Sequence, residues 1–184
     1  MIIKPDNEML SYSGRIDFDD RLAPVLVYAC SSIGMKFTGT SLKAVIANHR
    51  SCWTNELGYF IDGEQKRFTL SSDEEKKTYT LAEGLTEGTH ELLLFKRMDS
   101  CHTFTFYGFE IDDGAKVLPL PEKPKRKMEF FGDSVSCGEV SEAVEYVGKP
   151  DPEHDGEYSN SWYSYAWMTV RKLNAQIHDC LLYT

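Results

Sequence analysis

Hydrophobic and polar positions follow two different rules along this chain. From residue 8 to about 118 the apolar residues come in short runs, most of them alternating with polar ones. The runs are Pro24-Val-Leu-Val-Tyr-Ala-Cys30, Leu42-Lys-Ala-Val-Ile-Ala47, Phe60-Ile61, Arg67-Phe-Thr-Leu70, Thr78-Tyr-Thr-Leu81, His90-Glu-Leu-Leu-Leu-Phe95 and Thr103-Phe-Thr-Phe-Tyr-Gly-Phe-Glu-Ile111. They are rich in β-branched and aromatic residues, and the turn pairs Asp62-Gly63, Glu83-Gly84 and Glu87-Gly88 separate them. No long helical period lies between them. The pattern predicts an antiparallel β-sandwich or jelly roll over residues 1 to 120.

Beyond it the grammar changes. Leu118-Pro-Leu-Pro-Glu-Lys-Pro-Lys-Arg-Lys127 holds three prolines and four basic residues, and residues 121 to 127 read as a semi-rigid, solvated linker. Met128-Glu-Phe-Phe131 predicts a short strand, residues 138 to 159 a long acidic loop, and Asn160 to about His178 a helix. In that helix Trp162, Tyr165, Ala166, Thr169, Leu173 and Ile177 fall on one face, with Ser159 or Asn160 as N-cap. This is a β-loop-α unit, the opening of an α/β fold. Met128 to Phe131 needs a parallel neighbour, which a strand beginning at Cys180-Leu-Leu-Tyr-Thr184 would supply. Without full cover, the strand edges and the apolar helix face predict self-association or local disorder after residue 137.

Composition narrows the function classes. Of the 184 residues 41% are hydrophobic and 27% charged, an ordinary balance for a folded globular chain. A net charge of -9 disfavours nucleic acid or an anionic membrane surface as partner, because either selects for a basic face. Cys30, Cys52, Cys101, Cys137 and Cys180 are odd in number and never spaced CxxC, so they read as mostly free thiols rather than a zinc site or a disulfide framework. No signal peptide or membrane-length apolar run is visible, which leaves a soluble chain, cytoplasmic as given or secreted if a leader was removed.

The chemistry concentrates in Phe131-Gly-Asp-Ser-Val-Ser-Cys-Gly-Glu139. Ester hydrolysis needs a serine at a sharp strand end, where its hydroxyl is exposed and a backbone N–H faces the developing oxyanion. Ser134 is the candidate nucleophile and its own N–H the candidate oxyanion donor. Gly132 permits the tight path, and Asp133 braces the turn by accepting backbone hydrogen bonds. Gly-Asp-Ser alone is also common turn chemistry; its place after an apolar strand and before Ser136-Cys137-Gly138 strengthens it.

This block resembles the first conserved block of SGNH/GDSL hydrolases, in the form used by family 2 carbohydrate esterases. Gly14-Arg-Ile-Asp-Phe18 is similar to the opening of that family's N-terminal jelly roll. Asn160-Ser-Trp-Tyr-Ser-Tyr-Ala-Trp167 and Arg171-Lys-Leu-Asn-Ala175 are similar to the first helix of its catalytic domain. The resemblance implies a jelly roll followed by an SGNH domain, of which residues 128 to 184 would be the N-terminal, incomplete part. It implies serine-dependent deacetylation of acetylated plant polysaccharide such as xylan or mannan, with no metal or organic cofactor. In the family a glycine, an asparagine and an Asp-x-x-His segment complete the machinery further downstream. Only Ser134 and its N–H carry over, so no catalytic histidine or aspartate is assigned within this chain, and the chain itself is expected to be a poor esterase.

The histidines of this chain are candidate bases of unequal merit. An 18-residue helix, about 27 Å long, would carry His178 away from Ser134. His154 lies in the intervening loop and can approach; it reads first as a solvated loop histidine, as does its acidic company Asp151, Glu153 and Asp155. His49, His90 and His102 belong to the sandwich. A rival function, a non-catalytic carbohydrate-binding or scaffolding sandwich, rests on Trp53, Tyr59, Phe104, Phe106 and Tyr107 standing exposed; the plainer reading places most of them in the core.

Overall fold

The computed structural model describes residues 1–181. The described strands are β1 (Ile2–Ile3), β2 (Ser11–Ser13), β3 (Ile16–Asp17), β4 (Val25–Leu26), β5 (Ser32–Thr38), β6 (Leu42–Arg50), β7 (Glu56–Ile61), β8 (Glu64–Thr69), β9 (Lys77–Ala82), β10 (Thr89–Lys96), β11 (His102–Ile111), β12 (Val117–Leu118), β13 (Lys127–Gly132) and β14 (Gln176–Leu181). The helices are α1 (Ser134–Cys137) and α2 (Tyr165–Lys172).

Strands β1 to β12 form a two-sheet antiparallel sandwich. One sheet runs β3-β4-β11-β6-β9 with β1 on β11; the other runs β12-β5-β10-β7-β8 with β2 on β5. Alternation explains the core. Leu42, Ala44 and Ile46 of β6 meet Ile33, Met35 and Phe37 of β5 and Leu92 and Leu94 of β10 between the sheets, all at most 3% exposed. The prediction of a mainly β sandwich stands.

Two local readings change. The run from Pro24 to Cys30 is a strand only at Val25–Leu26, and Cys30 turns the chain at φ 63. The strand that counts is β5, where Ile33, Met35 and Phe37 point inward with a period of two and Gly34 and Lys36 lie on the other face. The expected long helix is three pieces: a 3₁₀ turn at Ser161–Tyr163, then α2, then β14. Asn174, at φ 48, ends the helical path, so Ile177 and His178 lie in a strand. The buried helix residues are Ala166, Trp167 and Val170, while Tyr165 and Leu173 are exposed.

β14 is the parallel neighbour that β13 needs. It pairs from Lys127↔Gln176 to Gly132↔Leu181 and begins four residues before the sequence suggested; residues 182 to 184 lie outside the described residues. A second core fastens this β-α-β unit to the outer face of the sandwich. Ala29, Cys30 and Phe95 from the sandwich pack with Cys137, Ala166, Trp167, Val170 and Ile177. β10 therefore buries both faces, which is why Leu92 to Phe95 read as an unbroken apolar run.

Candidate functional site

The segment that holds the candidate nucleophile Ser134 stands where β13 ends. Asp133 is the N-cap of α1: extended at φ -112, ψ -158, its carboxylate accepts the Val135 N–H at 3.1 Å. The Ser136 amide and hydroxyl both donate to the Asp133 carbonyl, at 3.0 and 2.7 Å. Gly132 makes that closure possible, since a Cβ there would sit 2.8 Å from Ser136 Oγ. Gly138 closes the turn in the left-handed region at φ 75, where a Cβ would meet the Asn160 carbonyl oxygen at 2.6 Å.

Ser134 is thus the first residue of a one-turn helix at a strand end. Its amide has no intrahelical partner, as for every first-turn N–H, and its carbonyl accepts the Glu139 N–H at 3.0 Å. The side chain is half-buried, and its hydroxyl makes no hydrogen bond among the described residues. Gly132, Asp133 and Ser134 therefore occupy one turn, with Ser134 half-buried, Val135 facing solvent, and Ser136 and Cys137 turned into the protein.

Beneath the turn lies a group that sequence reasoning missed. Asp179 on β14 is 1% exposed; its Oδ2 accepts the Cys30 thiol at 3.7 Å, and its Oδ1 has no partner among the described residues. Burial pushes its carboxyl up to about 6, outweighing the opposing hydrogen bond from the Cys30 thiol. Burial also raises the thiols of Cys30 and Cys137, which behave as small apolar residues. All five cysteines are free thiols. The only signal for Asp179 in the sequence was an acidic residue between Ile177 and Cys180, inside what read as a helix end.

No described histidine is hydrogen-bonded to Ser134. His154 places Nδ1 3.1 Å from Glu139 Oε1 and its ring 6.1 Å from that of Trp53. His178 pairs with Glu129 on the parallel strand, three positions short of Gly132, about 10 Å along the strand. The reason given for setting it aside, a long helix, does not hold; the strand register replaces it. His102 is fully buried, both ring nitrogens lack partners among the described residues, and burial with the nearby Lys96 charge pushes it down to about 4. His49 bonds Thr105, and His90 bonds Asp62 and the Thr86 carbonyl. Two Asp-x-x-His spacings do occur, Asp99 to His102 and Asp151 to His154; the first is buried in the sandwich and the second holds Glu139 instead of serine.

The rings proposed for sugar stacking are mostly core. Phe104 and Phe106 are fully buried and Tyr59 is 6% exposed, with its hydroxyl on the Leu81 carbonyl. Trp53 is exposed, but it leans on His154 and His102 rather than on a coplanar ring.

Comparison with known proteins bears on this arrangement. Residues 12–121 match the family described as "Carbohydrate esterase 2 N-terminal". The chain is similar to Cellulase/esterase CelE of Acetivibrio thermocellus, 33% identical over 171 residues that cover 92% of this chain and 20% of that protein. It is also similar to the Acetylxylan esterase / glucomannan deacetylase of Cellvibrio japonicus, 26% identical over 154 residues, covering 80% of this chain and 41% of that one. Among solved structures, a family two carbohydrate esterase from Clostridium thermocellum in complex with cellohexaose superposes at a TM-score of 0.82 with 30% identity. That superposition covers 94% of this chain and 50% of the solved chain, so this chain spans about half the length of that relative and less of the other two. The family match takes in more than half of the residues, and the chain belongs to carbohydrate esterase family 2.

Proposed function

We propose that this chain carries the nucleophile of a serine esterase that removes acetyl groups from plant polysaccharide, of the SGNH/GDSL type. The observation that carries the reading is the placement of Ser134, half-buried at the start of a one-turn helix that follows a parallel strand. A hydroxyl there can reach an ester carbonyl while the Ser134 N–H donates to the tetrahedral oxygen. The names of the similar proteins support the acetyl-polysaccharide substrate class. Residues 1 to 120 serve as the jelly roll, residues 121 to 127 as the connection, and residues from 128 onward as the start of the hydrolase unit.

The described residues hold no base against Ser134, so the hydroxyl stays protonated at neutral pH and attacks slowly. One missing oxyanion donor alone costs roughly 10²–10³ in rate. Acetate release from acetylated xylan or glucomannan by the purified chain, beside Ser134→Ala and His154→Ala, tests this. The expected result is a low rate that Ser134→Ala removes and His154→Ala leaves alone. Robust turnover lost in both variants would make His154 the base and overturn this account of the site.

A further inference from the structure

The sandwich does more than flank the nucleophile turn. Arg97, the residue after β10, is 2% exposed, and its guanidinium reaches out of the sandwich into the loop that follows α1. Nε donates to the Ser159 carbonyl at 3.0 Å, and Nη2 donates to Glu142 Oε2 at 2.7 Å. A second carboxylate, Glu56, lies 4.0 Å from Nε. A planar fork holding two directions at once is a task for arginine and not for lysine.

The contacts continue from there to the turn. Glu142 Oε1 accepts the Asn160 side-chain amide at 2.7 Å. Asn160 is fully buried, and its backbone N–H donates to the Gly138 carbonyl at 3.0 Å. Its own carbonyl accepts the Ser141 hydroxyl at 3.0 Å, and its side-chain oxygen the Trp162 N–H at 3.1 Å. Gly138 is the last link, the left-handed residue that ends the four-residue helix begun by Ser134. So short a helix has one turn of internal bonds, and its pose depends on what grips its two ends. Asp133 grips the first; Asn160 grips the second.

We propose that Arg97 is a positioning residue for the Ser134 turn, acting from the sandwich through Glu142 and Asn160 on the Gly138 end of α1. The consequence for catalysis rests on the reading of Ser134 as nucleophile; the structural link does not. In that scheme the jelly roll sets the direction in which Ser134 faces, and small errors there are costly because attack needs near-contact geometry.

The test uses Arg97→Met, Glu142→Gln and the double variant in this chain, with two readouts. Amide hydrogen exchange should accelerate at least about tenfold at Asn160 and Gly138 in Arg97→Met, while the Phe106 amide, on the far sheet, stays unchanged. The double variant should add nothing to the single one, because both cut the same link. Glu142 is 31% exposed, so Glu142→Gln folds even if Arg97→Met does not, and it should show the same local acceleration. Where Ser134-dependent hydrolysis is measurable, kcat should fall about tenfold with KM unchanged. Exchange that rises equally at Asn160 and Phe106, or at neither, overturns the proposal, as do additive effects in the double variant. If Ser134→Ala leaves hydrolysis intact, the nucleophile reading fails while the exchange result still decides the role of Arg97.

Discussion

Asp179→Asn separates the cost of burying a charge from the benefit of filling the space. Asp179 is 1% exposed beneath the Ser134 turn, and burial raises its carboxyl from the ordinary 3.8 to about 6. An acid whose folded-state value is raised holds its proton more tightly when folded. Its contribution is therefore fully present below the unfolded value and is lost as pH rises through about 6. At 1.36 kcal/mol per unit, the group should withdraw roughly 2–3 kcal/mol of stability between pH 4 and pH 8. Asparagine keeps an oxygen for the Cys30 thiol and cannot ionise, but its amide hydrogens take the place of an oxygen without a described partner. That costs about 1 kcal/mol at every pH. Urea unfolding of both proteins at pH 4 and pH 8 isolates the charge, because the constant amide cost cancels between the two pH values. The variant should gain roughly 2–3 kcal/mol on the parent from the lower to the higher pH, and be the more stable at pH 8. An unchanged difference across the two pH values would show that Asp179 is not the buried acid described.

Further expectations concern the two cores and the turn. Phe95, fully buried between sandwich and β-α-β unit, should cost about 3–5 kcal/mol as Phe95→Ala by urea unfolding. Gly138→Ala forces a Cβ to 2.6 Å from a carbonyl oxygen at a positive φ, and should destabilise by about 1–3 kcal/mol while raising exchange at the Ser136 amide. Burial works against the charge on His90, but its hydrogen bonds to Asp62 and the Thr86 carbonyl prevail and raise its value. That stabilisation is present at acid pH and fades as pH rises through the raised value, so His90→Gln should flatten this part of the pH–stability curve. Phe131, Val135, Tyr165, Met168 and Leu173 are each more than 40% exposed, and sedimentation should show concentration-dependent association that Phe131→Asp with Met168→Glu weakens.

The sandwich was legible because antiparallel strands with one face in the core print an alternating pattern, as β6 and β11 do. β5 keeps a full alternation, Ile33, Met35 and Phe37 inward with Gly34 and Lys36 between them, and was overlooked because Gly34 is a poor strand former next to the Ser31-Ser32 pair. The β10 run Leu92 to Phe95 did carry its second burial surface in plain view. The helix from Asn160 was overextended because Leu173 and Ile177 continue a helical period by coincidence; Leu173 is exposed, and Ile177 is buried from a strand. Of the candidate site, the turn residues Gly132, Asp133 and Ser134 could be read locally, since a cap and a close approach leave sequence marks. Arg97, Glu142 and Asp179 could not, and Asn160 was legible only as the cap of the turn that follows it, not as the partner of Glu142. Their partners lie 18 to 149 positions away, and nothing in a linear pattern pairs them.

The central claim is that Ser134 attacks the ester carbonyl, and trapping the acyl-enzyme tests it most directly. With an activated acetyl ester, acylation outruns deacylation where no base assists water, so an acetyl group should accumulate on the serine. Acid quench, digestion and mass spectrometry should find a single acetyl group on the peptide spanning Phe131 to Glu139, located at Ser134 and absent from Ser134→Ala. Acetyl transfer to other residues alone, or an identical adduct pattern in Ser134→Ala, would contradict the account.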